Sequence, residues 1–308
     1  MTLESLTPLF ASAVAAAIPL LLAALGELVT ERSGVLNLGV EGMMLMGAVT
    51  AFVVVASGGG LTLATICACL AGALAAFIFG FLTLTLQASQ VATGLALAIL
   101  GSGVSAFAGR GYVGNPAKLA FVELPIPVLS KLPLVGPALF SMNALGYLSI
   151  VLVIATTWFL YRTKSGLILR SVGESPVVAQ SLGLQVIRIR YLATMFGGLM
   201  AGLAGCYYAI AQFKMWQEGL TSGNGWIALA LVVFASWRPV RLMLGALLFG
   251  GVTAFGLYLQ AVGVQVSAFA LAALPYVATV VVLSVISRDQ RALRRNAPAS
   301  LGQPYFGM

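Results

Sequence analysis

The sequence predicts an all-α polytopic membrane protein with about nine transmembrane helices, and three observations carry that prediction. Of its 308 residues, 60% are hydrophobic and only 8% are charged, whereas soluble domains carry roughly a quarter charged residues. Charge-free stretches run over 5–26, 42–109, 132–161, 191–213, 219–237 and 242–287, and one spanning helix needs about 20 apolar residues. Lys and Arg collect in the few segments between those stretches. A soluble core cannot use so much uninterrupted apolar chain.

The elements follow in order. The first span, 8–26, follows Glu4 and lacks the basic start of a signal peptide, so it reads as a retained helix. Ser57-Gly58-Gly59-Gly60 is a turn between spans 41–56 and 61–86, and Gln87-Ala88-Ser89-Gln90 separates the latter from 91–108. Pro116, Pro125, Pro127, Pro133 and Pro137 forbid a continuous helix over 109–142, which reads as an extracytoplasmic loop. Spans 143–161 and 191–211 flank a basic loop, 162–190. Spans 225–237, 242–260 and 268–287 follow, and residues 288–308 form a tail.

Orientation comes from the basic residues, which favour the cytoplasmic side. The 162–190 loop carries Arg162, Lys164, Arg170, Arg188 and Arg190. The turn after Trp237 carries Arg238 and Arg241, and the tail carries Arg288, Arg291, Arg294 and Arg295. Threading nine helices puts all three on one side, with the N-terminus outside and the C-terminus cytoplasmic. The net charge of +8 is then an orientation signal and not a nucleic-acid footprint, since no folded domain stands behind it. There is no His, and Cys67, Cys69 and Cys206 lie in apolar runs as small packing residues, so no metal site is expected. Gly72, Ala76 and Gly80 share one helix face, as do Gly198 and Gly202, a spacing that lets helices approach closely.

Two interrupted, Gly-rich passages stand out. Residues 27–42 contain Gly34, Gly39 and Gly42 with Asn37 and Glu41, at the entrance to a long apolar run. Irregular backbone at membrane depth is tolerated where it is buried or lines a wet cavity. Glu41 is open to three readings: a structural carboxylate near a helix N-terminus or paired with Arg32, a contact for cargo, or a gate. Leu220 to Trp226 (LTSGNGW) repeats the pattern from the opposite side, which suggests inverted repeats. Asn37, Glu41, Gln90, Thr93, Asn224 and Trp226 are the candidate pathway residues. In the basic loop, Ser175 can cap a helix over 177–182, Pro176 fits its first position and Gly183 stops it. Such a piece either sits in a partner's cleft or is a solvated connection.

The loop SGLILRSVGESPVVAQSLGLQVIRIRYLATMFGGLMAGLAG resembles the coupling segment of ABC importer permeases of the branched-chain amino acid, ribose and nucleoside class. GELVTERSGVLNLGVEGMMLMGA is similar to the signature of the nucleoside branch, and SGNGWIALALVVFASWRPV (222–240) matches a third segment. One departure is visible, Ala235-Ser236 where a Gly is expected before Trp-x-Pro. The resemblance implies a bacterial plasma (inner) membrane importer subunit, not itself an enzyme, with nucleoside cargo. It also implies a paired permease subunit, a cytoplasmic ABC ATPase that binds the ATP and Mg, and an extracytoplasmic substrate-binding lipoprotein. Arg170, Gly173, Glu174, Ser175, Pro176 and Gly183 would then form the ATPase-coupling element. Branched-chain amino acid or simple-sugar cargo, and an ion-coupled secondary transporter, are the alternatives. No phosphate-binding Gly-x-x-x-x-Gly-Lys occurs, and the Gly-x-Gly-x-x-Gly at 109–114 runs into Pro116 and is a false match.

Overall fold

Helices and closed barrels are the structures that satisfy a backbone in lipid, and among the described residues the computed structural model is helical, with only isolated bridges besides its loops. The structure describes residues 3–132, 135–262, 267–286 and 296–306. The basic tail residues Arg288, Arg291, Arg294 and Arg295, together with Pro133, lie outside them.

Helix α1 (Leu3–Arg32) runs six residues past the expected end at Gly26, because Glu27 and Glu31 are buried with partners instead of facing water. Next come α2 (Val40–Ala56), α3 (Leu61–Gly80, continued by a π turn Phe81–Thr85) and α4 (Gln90–Gly109). The proline-rich stretch is irregular as expected, holding a short 3₁₀ turn (Leu129–Lys131) and the one-turn α5 (Val135–Leu139). Then follow α6 (Ala144–Arg162), α7 (Lys164–Glu174), α8 (Pro176–Ser181) and α9 (Val186–Tyr207, continued by a π turn Tyr208–Gln212). The last are α10 (Asn224–Phe234), α11 (Pro239–Ala261) and α12 (Ala268–Ile286).

Among the described residues each of the nine expected segments holds a helix, that over 225–237 ending early at Phe234, but not all nine are full spans. Among the described residues six helices are long and apolar enough to cross a membrane: α1, α3, α4, α6, α9 and α11. Helix α10, with 11 residues, rises only about 16 Å against a hydrocarbon core of about 30 Å. It is too short to cross by itself, and the Gly-rich passage 219–223 leads into it.

Helix α9 is the centre, packed on α1, α2 and α3, and small residues explain why it can be. A Cβ on Gly72 would sit 2.1 Å from the Gly198 carbonyl oxygen, one on Gly202 2.2 Å from that of Ala68, and one on Gly205 1.9 Å from that of Met44. Backbones therefore touch directly along the α3–α9 and α2–α9 seams, as the Gly/Ala spacing predicts. Outward faces of α3, α4, α6 and α11 instead carry exposed Leu, Ile, Val and Phe, such as Leu70, Ile99, Ile154 and Leu244.

The bundle has two distinct ends. At one, residues 113–121 fold over the segment following α9: Ala117 N–H donates to Lys214 O (2.9 Å) and Phe121 N–H to Ile210 O (3.0 Å). At the other lie the end of α1, α7, α8, the start of α9 and residues 296–306.

Candidate functional site

The passage 33–39 returns into the bundle beside α1. Its turn is closed by Gly34 in the left-handed region (φ +89°), and its donors are taken by neighbours. Asn37 N–H donates to Glu27 Oε1 (3.1 Å), Leu36 N–H to Gln90 Oε1 (2.8 Å) and Gly39 N–H to Asn37 Oδ1 (3.0 Å). Irregular backbone here is thus satisfied by protein, which is what its burial demands.

The second passage comes from the opposite end and meets the first at Glu41. Thr221 Oγ1 donates to Glu41 Oε1 at 2.5 Å, Gly223 N–H to the same oxygen at 2.8 Å and Gly225 N–H to Oε2 at 2.7 Å. Glu41 lies in the first turn of α2 while its carboxylate lies at the start of α10, so two helix N-termini converge on one negative charge. Gly223 adopts φ +81°, and a Cβ on Gly225 would lie 2.6 Å from Glu41 Cα, so glycine is what permits the approach. Of the readings open for Glu41, the pairing with Arg32 is not formed. Arg32 donates through Nη2 to Trp237 O (2.8 Å) and through Nη1 to Asn296 O (3.0 Å).

The six pathway candidates separate on this geometry. Glu41 and Asn224 belong to the junction, Asn224 donating through Nδ2 to Thr221 O (2.7 Å). Asn37 is fully buried in the first passage, with Nδ2 near Met43 Sδ at 3.5 Å, and Gln90 ties α4 to it. Trp226, half-buried, stands beside Gly223. Thr93 is half-buried one turn into α4, and no side-chain bond joins it to this network.

At the α7–α8 end the expected short helix is present, shifted one residue toward the N-terminus over Pro176–Ser181. Ser175 Oγ accepts from Val178 N–H (3.4 Å), Pro176 occupies the first turn and Gly183 (φ +80°) ends the helix. Sequence reasoning missed α7, which continues from α6 after Thr163 caps it by accepting from Gly166 N–H (3.0 Å). Arg170 lies over the Tyr161 ring at 5.3 Å, and Glu174 is exposed. Gly173 is buried against the end of α1, where a Cβ would sit 2.2 Å from Arg32 O. Between α6, α7, α8 and the start of α11 opens a cleft of about 910 Å³, lined among others by Arg32, Arg170, Glu174, Arg238 and Arg241.

Three features were not read from the sequence. Arg190, counted as an orientation charge, is 1% exposed and donates through Nε to Ser33 O (3.1 Å). Trp237 Nε1 donates to Glu31 Oε2 (2.5 Å), joining the Trp-x-Pro corner to α1. At that corner Ser236 (φ +50°) and Trp237 (φ +54°) are both left-handed, which is why a Gly is expected there. Among the described residues no three metal-ligating side chains gather.

A family model described as the permease component of branched-chain amino acid transport systems matches residues 9–287. A Haloferax volcanii protein named a putative glucose ABC transporter permease is 40% identical, over 95% of each chain. A guanosine ABC transporter permease of Bacillus subtilis is 32% identical, over 94% of this chain and 93% of its own. A nucleoside ABC transporter permease of Lactococcus lactis is 31% identical, over 87% and 88%. With helices able to span a membrane repeatedly and no catalytic role of its own, the chain belongs to the permease-component family of ABC importers of the branched-chain amino acid type.

Proposed function

We infer that this permease forms half of a translocation path for nucleosides, completed by a second permease subunit and supplied by an external binding protein. The observation that carries the cargo class is the state of Glu41. Its carboxylate accepts three donors from the second passage, so the junction offers no free charge to a zwitterionic amino acid. An uncharged, hydroxyl-rich solute suits such a surface, and the guanosine and nucleoside permeases among its relatives point to nucleosides. The relative at 40% identity favours a second reading, in which glucose is carried.

In the proposed cycle an ATPase bound at the α7–α8 end drives alternating access. Exposed Glu174, Val177 and Val178 form the contact, with Arg170 beside them. Ser175, Pro176 and Gly183 shape α8, and Gly173 sets the seat of α7 on the end of α1. A partner can shift the equilibrium between two states only by contacting them differently, and α8 is the element positioned to do so.

Competition uptake tests the cargo. In membranes holding the chain with its partner subunits, excess unlabelled guanosine is expected to suppress uptake of labelled adenosine, and glucose and leucine are not. Uptake of labelled glucose in place of adenosine selects the second reading, and uptake of labelled leucine overturns both. Uptake that stops with a proton uncoupler while ATP is held constant would indicate ion coupling instead.

A further inference from the structure

Residues 296–306 cross the α7–α8 end as a strap, and their bonds are specific. Ser300 donates to Gly173 O through both its N–H (3.0 Å) and its hydroxyl (2.7 Å), and the same hydroxyl accepts from Arg190 Nη2 (3.0 Å). Gly302 N–H donates to Gly34 O (3.2 Å), and Asn296 O accepts from Arg32. Tyr305 bonds through its hydroxyl to Gln180 of α8, and its ring lies 5.6 Å under the Arg190 guanidinium. Eleven residues thus tie α7 and α8 to the end of α1, the passage 33–39 and α9.

Arg190 shows why this is more than a tail at rest. A buried guanidinium needs partners, and beyond Ser33 O those shown are the Ser300 hydroxyl and the Tyr305 ring. Ser300 also lies one bond from Gly173, next to the proposed ATPase contact, while Gly302 and Arg190 reach Gly34 and Ser33, which lead to Asn37 and Glu41. We propose that this strap is the positioning element for coupling, with Ser300 and Arg190 as its positioning residues, transmitting movement of α7–α8 to the passage that ends at Glu41. The inference rests on the reading of α8 as the ATPase contact.

The test uses the complete transporter in liposomes, reading solute taken up per ATP hydrolysed. A chain ending at Arg295 is expected to assemble with its ATPase and hydrolyse ATP, while uptake per ATP falls about tenfold. Ser300→Ala is expected to give a smaller loss in the same direction. Unchanged uptake per ATP in both variants overturns the proposal. So does failure of both to assemble, because the strap would then hold the fold and not the stroke. In parallel, Val177→Cys is tested for cross-linking to the ATPase. Cross-linking with unchanged uptake per ATP in the truncated chain removes the strap alone, whereas no cross-linking removes the coupling reading beneath it.

Discussion

At the scale of single residues, Glu41 is where the two interrupted passages are joined. Its carboxylate takes its three bonds from the start of α10 while its backbone sits in the first turn of α2, so Glu41→Gln keeps the shape and loses the charge. That change is expected to cost about 2 kcal/mol, lowering the unfolding midpoint in detergent and reducing uptake. Ser236 is the opposite case. Its left-handed backbone (φ +50°) strains any residue with a Cβ, so Ser236→Gly is expected to stabilise the chain by about 1 kcal/mol, seen as a raised midpoint. The departure at Ala235-Ser236 was legible as an anomaly. What the sequence could not show is that the strained corner is fixed by Trp237 Nε1 on Glu31 and by Arg32 on the Trp237 carbonyl.

At the scale of elements, local chemistry decided what could be read. Helix α8 carries its cap, its proline and its terminating glycine within nine residues, and so was legible. Helix α7 was not: a basic start and two glycines in 11 residues argue against helix, and packing of Leu169 and Val172 overrides them. The half-length of α10 was equally hidden, because periodicity marks apolar helix without marking where membrane begins. Gly173→Ala is expected to leave the chain in the membrane but lower uptake about tenfold, because its Cβ meets a backbone oxygen at the α1–α7 contact. Gly72→Val, which drives a branched side chain into the α9 backbone, is expected to cost more than about 3 kcal/mol, measured as loss of folded protein in detergent extracts.

For the whole molecule, the two ends of the bundle make an orientation testable. Glu174→Cys is expected to react with an impermeant maleimide only from the cytoplasmic side, and Lys118→Cys only from outside. Reversed labelling would undo the topology and with it the ATPase contact. The strap was beyond sequence reading because its value lies in distant partners, Gly34, Gly173, Gln180 and Arg190, none of which a local pattern connects to Ser300. The backbone contact along α9 has a mechanical corollary. Where Gly198, Gly202 and Gly205 leave no room for even one extra methyl, neighbouring rods cannot slip past one another by a fraction of a turn. Helices α2, α3 and α9 are then expected to tilt as one solid block during transport, with the bending taken up in the looser walls around it.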